Sequence, residues 1–112
     1  GICKLTIDFE PKALKTADED LGVARAINEI VREAVSNAVR HGYATEVKAT
    51  LTEADGVLTL RAVNDGKPVT KKSRASLGTE MMNELTLDWV LQNQSKRVVL
   101  EAKLAKATSS SF

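Results

Sequence analysis

The sequence predicts an α+β fold, a two-layer sandwich in which one mixed β-sheet carries its helices on one face. Three observations predict this class. Alternating apolar and polar residues mark five short strands, a long segment without proline has the apolar spacing of an amphipathic helix, and strands and helices follow one another in mixed order. The other face of the sheet is expected to meet water or another domain.

The first strand is predicted at residues 3–9. Leu5, Ile7 and Phe9 alternate there with polar residues, which is the pattern of a half-buried strand. Pro11 is expected to end this strand, because proline cannot donate a hydrogen bond to a β-ladder.

A long helix is predicted next. The sequence Thr16-Ala17-Asp18-Glu19 matches a capping box, in which the hydroxyl and the last carboxylate satisfy the first free amides of a helix. The helix should run to about His41, and Gly42 follows at the position of a left-handed C-terminal cap. Gly22 disfavours the first turns by about 1 kcal/mol relative to alanine, so a start near Val23 is the alternative.

Two β-hairpins are predicted in the second half of the chain. In the first, the pair Asp55-Gly56 is a tight-turn signal between two alternating segments. In the second, residues 93–96 form the turn. The four alternating segments are residues 47–52, 58–62, 87–91 and 98–104.

The segment between the hairpins is polar and basic. Residues 67–76 contain several lysines and an arginine without an apolar period, which predicts a mobile loop. Gly78-Thr79 then opens a short helix that reaches Leu85. We expect one domain over residues 1–104 and a frayed, small and polar tail at residues 105–112.

Length and composition indicate a small globular domain. With 112 residues, of which 43% are apolar, the chain can bury one core. The formal net charge of +1 favours neither a nucleic-acid nor a membrane partner. Cys3 is the only cysteine, and the sequence has no bilayer-spanning apolar run and no secretory signal. The chain starts almost within a strand, as we expect of a segment of a longer protein.

The long helix carries a stripe of chemically active side chains. Glu33, Asn37 and His41 are spaced by four residues and therefore share one side of the helix, beside the apolar stripe that should pack on the sheet. A carboxylate, a carboxamide and an imidazole at the edge of a buried face suit a cleft wall that holds a metal ion and phosphates. The same spacing also fits a solvated polar flank, and the triplet alone does not decide between the two.

Two further segments fall where such a cleft needs them. Asn64-Asp65-Gly66 ends a central strand, where an acid or an amide can hydrogen-bond the edge of a base. Gly78-Thr79 begins a helix, and the free amides at a helix start attract anions. An asparagine oxygen is a hard donor suited to Mg²⁺. Each glycine alone also fits an ordinary turn, but the three segments together predict a cleft for a nucleoside triphosphate with magnesium.

This order and spacing resemble the Bergerat-fold (GHKL) ATPases, the superfamily of gyrase, the heat-shock chaperone ATPase, MutL and histidine kinases. The specific part is the run E-x-x-x-N-x-x-x-H from Glu33 to His41, and the resemblance extends to Leu104. The chain is most similar to the ATP-binding catalytic domain of two-component sensor histidine kinases with response regulators of the NarL/LuxR type. The resemblance implies a Bergerat-type mixed sheet, with ATP and Mg²⁺ as cofactors.

The resemblance implies roles for the helix stripe. Asn37 would bind the Mg²⁺ that bridges the phosphates. Glu33 takes the place that activates water in the hydrolysing relatives, and in a kinase it would order the metal shell, since the nucleophile is a histidine on another domain. Glu33 and Asn37 are thus the implied catalytic residues, and His41 would lie towards the phosphates.

The resemblance also implies roles for the loop side of the cleft. Asn64, Asp65 and Gly66 would lie beside the base, with Gly66 giving the chain room and hinging the loop that follows. Residues 67–77 would form a lid over the nucleotide. Gly78-Thr79 would supply its far hinge and a phosphate-facing amide.

The chain departs from the family pattern at several positions. In D-x-G-x-G the first acid accepts a hydrogen bond from the adenine amino group. Counting back from Gly66 puts Asn64 at this place, and a neutral acceptor makes a bond roughly half as strong. Pro68 replaces the second glycine, Ser76 replaces a glycine of the later G-x-G, and Ser95-Lys96 replaces the expected Gly-Thr pair. Nucleotide binding is therefore expected to be weak, and phosphoryl transfer is a further inference.

The implied function is to bind Mg-ATP and donate the γ-phosphate to a histidine on a separate dimerisation and phosphoacceptor domain, with a response regulator as a further partner. Such a domain is cytoplasmic and makes no membrane contact itself, although its parent can be membrane-anchored. Three alternatives stay open: an anti-sigma-type serine kinase or switch, a degenerate non-catalytic nucleotide pocket used for docking, and a small RNA-binding domain. The low net charge and sparse aromatic residues argue against the last.

Overall fold

The computed structural model describes residues 2–75 and 77–105, which form five strands and four helices. The strands are β1 (Lys4–Phe9), β2 (Glu46–Ala54), β3 (Val57–Asn64), β4 (Asp88–Gln94) and β5 (Arg97–Ala105). The helices are α1 (Pro11–Asp18), α2 (Leu21–Gly42), α3 (Lys71–Ala75) and α4 (Thr79–Leu85).

The five strands form one mixed sheet in the order β1-β2-β3-β5-β4. β1 runs parallel to β2, and the other neighbouring pairs are antiparallel. Leu51 and Leu60 project from the sheet into the core under the helices and are fully buried. Lys48, Thr52 and Lys103 lie on the opposite face and are exposed. The predicted α+β class, with the helices on one face of a mixed sheet, is confirmed.

The predicted strands are confirmed, with ends shifted by up to three residues. Asp55 and Gly56 make the two-residue turn between β2 and β3 with φ of 52° and 78°. The second turn is shorter than predicted and contains only Ser95 and Lys96, because the two residues before them still pair with β5. Ala105 belongs to β5, and the rest of the predicted tail lies outside the described residues.

The capping box predicted at Thr16 was wrong, because a separate helix, α1, precedes the long one. Pro11 is the first residue of α1, where its missing amide has no intrahelical acceptor to lose and its fixed φ suits the helix. Ala13 and Ala17, four residues apart, bury one side of α1 in the core. Thr16 lies within α1, and its hydroxyl donates to Oε1 of Glu53 at 3.0 Å.

The true cap of α2 is Asp20, whose side chain accepts a hydrogen bond from the Val23 amide at 3.2 Å. The helix extends one residue beyond the prediction, because Gly42 is still helical and Tyr43 takes the left-handed φ of 52°. The chain after β3 passes close to this helix end, since a Cβ at position 42 would be in van der Waals contact with the Lys67 amide nitrogen at 3.4 Å. No helix in the described part of the chain has the length and apolarity of a membrane span.

The basic segment predicted as a mobile loop contains α3, so that prediction was partly wrong. Thr70 and Ser73 cap this helix reciprocally: Thr70 Oγ1 accepts the Ser73 amide at 3.2 Å, and Ser73 Oγ accepts the Thr70 amide at 2.8 Å. The Val69 amide donates to Oδ1 of Asn93 on β4 at 2.8 Å. This segment is therefore ordered by hydrogen bonds. Such bonds produce no apolar periodicity in the sequence, and the helix was missed for that reason.

Candidate functional site

A narrow hollow separates α2 from the end of β3, and two asparagines singled out from the sequence lie on its opposite walls. Asn37 lines it from α2, and Asn64 lines it from β3. His41, one turn after Asn37, lines the same hollow. Asn37 and His41 of the helix stripe and Asn64 at the end of β3 therefore lie at one hollow, as the sequence predicted.

The polar side chains that are buried in the described part of the chain belong to this hollow. These are Asn37 and Ser73, each 7% exposed, and both are lining residues. Burying a polar group costs free energy unless it is hydrogen-bonded. Ser73 is hydrogen-bonded through its mutual cap with Thr70. Both buried polar side chains therefore lie at the hollow, Asn37 on α2 and Ser73 on α3.

The hollow is nearly filled by the chain that follows β3. Its volume is about 10 Å³, roughly what a single water molecule needs. Lys67, Val69 and Ser73 line it from residues 67–75, the part of the predicted lid that we call the lid segment. A ligand-sized site occupies about 300 Å³ or more. A molecule the size of a nucleotide therefore does not fit into the hollow with the lid segment in this position.

Asn64 holds the turn from which the lid segment starts. Its Oδ1 accepts a hydrogen bond from the Gly66 amide at 2.8 Å. The second lone pair of that oxygen and the NH₂ group are what Asn64 can offer to a ligand. A Cβ at Gly66 would lie 2.9 Å from this oxygen and 2.9 Å from the carbonyl oxygen of Gly42. Gly66 is therefore needed for space where β3, α2 and the lid segment meet.

The carboxylate of Asp65 is bound to β2 and is not among the groups that line the hollow. Oδ1 accepts hydrogen bonds from the amides of Thr45 and Glu46 at 2.9 and 3.1 Å, and Oδ2 accepts one from the Thr45 hydroxyl. These bonds, the hydroxyl first, lower the pKa of Asp65 to about 2. Asp65, predicted to lie beside the base, thus ties the end of β3 to the start of β2.

We expect Asp65→Asn to destabilise the fold near neutral pH and to remove part of its acid sensitivity. The pKa of Asp65 is lower in the folded chain, about 2, than its value of about 3.9 when unfolded, so its contribution is complete above pH ~4 and is lost as the pH falls towards 2. Urea unfolding at several pH values between about 2 and 6 measures this difference. Asp18→Asn, at an exposed position, is the control, and the same acid dependence in Asp65→Asn and the unmodified chain would contradict the assignment.

Glu33 meets the glycine before α4 at the other end of the helix stripe. A Cβ at Gly78 would lie 3.6 Å from Oε1 of Glu33. Gly78 has a φ of 26° and precedes α4, which begins at Thr79 as predicted. Glu33 therefore lies one turn before the hollow. Gly78 and Thr79 lie near Glu33 and do not line the hollow between the two asparagines.

The hollow continues into a larger cleft with a basic lining. This cleft has a volume of about 440 Å³ and shares His41 and Lys67 with the hollow. The ammonium of Lys67 lies 4.8 Å from the centre of the Tyr43 ring, within reach of a cation–π contact. No carboxylate is among its described lining residues, and such a lining favours a polyanionic ligand. Its charged and aromatic residues are Arg40, His41, Tyr43, Lys67 and Lys72.

Sequence reasoning did not single out Arg40, Tyr43 or Lys72 as site residues. Arg40 and Tyr43 lie at the end of α2 on either side of His41 and Gly42, so their closeness to the helix stripe was visible. Lys72 reaches the cleft because α3 folds back over α2, and that turn depends on the mutual cap of Thr70 and Ser73.

The donor set of the hollow fits a magnesium ion held mainly by phosphates. The described residues contain no cluster of three or more His, Cys, Asp or Glu side chains that could hold a metal. Asn37 places a buried carboxamide oxygen on the wall, and Glu33 lies one turn before it. Mg²⁺ keeps several waters and takes one or two protein ligands beside substrate phosphates, so this sparse set suits it.

The chain matches an ATPase family. The family model described as "Histidine kinase-, DNA gyrase B-, and HSP90-like ATPase" matches residues 22–104, which include both walls of the hollow and the lid segment. The chain belongs to this family, and the superfamily predicted from the sequence is confirmed.

Sensor kinases are among the relatives within this class. The chain is 35% identical to sensor protein VraS of Staphylococcus aureus (strain COL) over 97 aligned residues, which cover 79% of this chain and 28% of that protein. The chain thus spans little more than a quarter of the length of this relative.

Solved structures show the same fold. The blue-light activated histidine kinase of Erythrobacter litoralis superposes with a TM-score of 0.67 at 14% identity, covering 100% of this chain and 38% of that one. The ATP binding domain of PrrB from Mycobacterium tuberculosis superposes with a TM-score of 0.59 at 16% identity, covering 93% and 82%.

Proposed function

We propose that the chain is the ATP-binding catalytic domain of a two-component sensor histidine kinase. It binds Mg-ATP and presents the γ-phosphate to a histidine on a separate dimerisation and phosphoacceptor domain, from which a response regulator is phosphorylated. The observation that carries the proposal is the pairing of Asn37 with Asn64 across one hollow that continues into a basic cleft. We place the domain in the cytoplasm, because ATP and response regulators are found there.

The nucleotide lies with its base at Asn64 and its phosphates towards the basic cleft. Asn37 would supply an oxygen ligand to Mg²⁺, and the ion would neutralise negative charge on the phosphates. Arg40, Lys67 and Lys72 balance the remaining negative charge. The chain thus contributes positioning and charge neutralisation, and it forms no covalent bond with the phosphoryl group.

Binding is coupled to movement of the lid segment. Val69 and Ser73 line the hollow that the nucleotide has to enter, and the Val69–Asn93 hydrogen bond holds the segment in place. The apparent affinity is lowered by the small fraction of molecules in which the segment is open. This agrees with the weak binding expected from Asn64 and Pro68.

We expect Asn64→Asp to raise the affinity for ATP about five- to tenfold. An aspartate keeps one oxygen for the Gly66 amide and offers the other, with its charge, to the adenine amino group. Isothermal titration calorimetry with Mg-ATP measures the change. Asn64→Ala is the counterpart and should weaken binding, and an affinity that falls in both variants would contradict this placement of the base.

Phosphotransfer in trans tests the proposal. The chain is mixed with labelled Mg-ATP and with the histidine-bearing domain of its parent, and label is expected on that domain's histidine. Label on a serine of a partner would replace the proposal by an anti-sigma-type kinase. Nucleotide binding without any transfer would replace it by a docking module, and absence of binding at millimolar Mg-ATP would overturn nucleotide binding altogether.

A further inference from the structure

Strand β1 lies at one edge of the sheet. Among the described residues it pairs with β2 in parallel register over Lys4–Phe9 and has no strand on its outer side. At the opposite edge, β4 is contacted by the lid segment: the Arg74 guanidinium donates to the Leu91 carbonyl, and Asn93 accepts the Val69 amide. A bare edge strand is a template for pairing with another chain.

The apolar side of β1 is open as well. Leu5 and Ile7 are 41% and 57% exposed, although their neighbours on β2, Val47 and Ala49, are 1% and 0% exposed. The helices therefore cover β2 but leave β1 largely uncovered, and the half-buried strand predicted from the sequence is more exposed than expected. An apolar surface along a bare strand edge marks a place of contact.

The backbone groups that point outward belong to the apolar residues. At the two ends of β1, the amides of Lys4 and Glu10 donate to carbonyls on the β2 side, at 2.9 and 3.0 Å. Backbone groups alternate in direction along a strand, so Leu5 and Ile7 direct their N–H and C=O groups away from β2. An approaching strand therefore meets two pairs of donors and acceptors.

We propose that β1 pairs with β1 of a second copy of this chain, antiparallel about a two-fold axis through Thr6. In this register Leu5 lies opposite Ile7 of the second copy, and each such pair exchanges two backbone hydrogen bonds. On the other face of the sheet, Lys4 lies opposite Asp8 of the second copy, so two pairs of opposite charge form.

The sequence of β1 selects this register among the alternatives. A shift by one residue sets outward backbone groups against inward ones and exchanges the two faces. A shift by two residues leaves Asp8 without a lysine opposite it in either direction. About Thr6, Lys4 and Asp8 each lie opposite a residue of opposite charge, while the apolar residues face one another on the other side of the sheet.

The dimer is weak. Two strands of six residues bury less than the roughly 1,200 Å² of a standard stable interface. Association should therefore require high protein concentration, and it becomes favourable where two copies are held close together, because a tether raises the effective concentration to about the millimolar range.

Charge reversal tests the register in the full 112-residue chain. Lys4→Asp and Asp8→Lys each set like charges opposite one another and are expected to raise the dimer Kd about tenfold or more by sedimentation equilibrium. The double variant restores opposite charges and should return the Kd to within about threefold of the unmodified value. Lys103→Asp, an exposed reversal on β5, is the control. An unmodified chain that stays monomeric at its solubility limit, or a double variant that does not recover, overturns the proposal.

A cross-link tests the two-fold axis independently. Opposite residues at a non-hydrogen-bonded position of an antiparallel pair have Cα atoms about 4.5 Å apart, within the range that a disulfide spans. Thr6→Cys in a Cys3→Ser background should therefore cross-link to a dimer under mild oxidation. Thr52→Cys, an exposed position on the same face of β2, should stay monomeric. Equal yields of dimer from the two variants, or none from Thr6→Cys, would overturn the pairing.

Discussion

Replacing Asn37 by alanine should abolish Mg-ATP binding, with Kd rising at least about a hundredfold. Asn37 is buried on the wall of the hollow opposite Asn64, and in our proposal it is the side chain that ligates Mg²⁺. Alanine removes both the ligand oxygen and the polar lining. Isothermal titration calorimetry with Mg-ATP measures the loss.

The matched control is Asn28→Ala. Asn28 lies on the same helix and carries the same carboxamide, but it is exposed. Its replacement should leave the affinity unchanged within about twofold. Thermal melting of both variants separates binding from folding, because truncation of a buried side chain also lowers stability. A folded Asn37→Ala chain that binds Mg-ATP as tightly as the unmodified chain would contradict the role of Asn37.

The second large effect is expected from Gly66→Ala, which should lower the free energy of unfolding by about 1–3 kcal/mol. The added Cβ would lie 2.9 Å from the Gly42 carbonyl oxygen and 2.9 Å from Oδ1 of Asn64. The carbonyl is also the acceptor of the Lys67 amide at 2.8 Å, so it cannot move without disturbing the start of the lid segment. Urea unfolding measures the loss of stability.

Gly56 provides a control in which glycine is needed for the opposite reason. No atom lies within 4 Å of a Cβ placed there, but its φ is 78°. Gly56→Ala should therefore lose about 1 kcal/mol through the backbone alone, and Gly56→Asn should lose less, because asparagine tolerates the left-handed region. Gly66→Asn should be as damaging as Gly66→Ala. If asparagine rescued position 66 as it does position 56, the steric account of Gly66 would fail.

Much of the architecture could be predicted because the strands and the long helix repeat a simple pattern. The turn at Asp55-Gly56 was also predictable, because few residues accept the positive φ that it requires. Helix α1 was missed because Pro11 ends one element and begins another. Thr16 looked like a cap, but its hydroxyl is bonded to Glu53 across the chain, and Asp20 caps α2 instead. Such a choice between two local signals is made by tertiary contacts.

The candidate site was predictable in its two walls and less so in its details. Asn37 and Asn64 converge as the motif implied. The sequence did not show that Asn64 lines the hollow while the carboxylate of Asp65 is bonded elsewhere. This difference depends on Thr45, twenty residues away, which donates hydrogen bonds to the Asp65 carboxylate. The position of the lid segment was not predictable either, because it depends on hydrogen bonds within the segment and to Asn93 rather than on a periodic sequence pattern.

Amide chemical shifts of the isotope-labelled chain, titrated with a magnesium-bound, non-hydrolysable ATP analogue, test the central claim most directly. The claim is that Asn37 and Asn64 form opposite walls of one nucleotide site beneath the lid segment. The account predicts saturable shifts that are largest at Asn37, Asn64, Gly66 and residues 67–75, with little change on the open face of the sheet, as at Lys48. Shifts confined to that open face, or none at millimolar analogue, would contradict it.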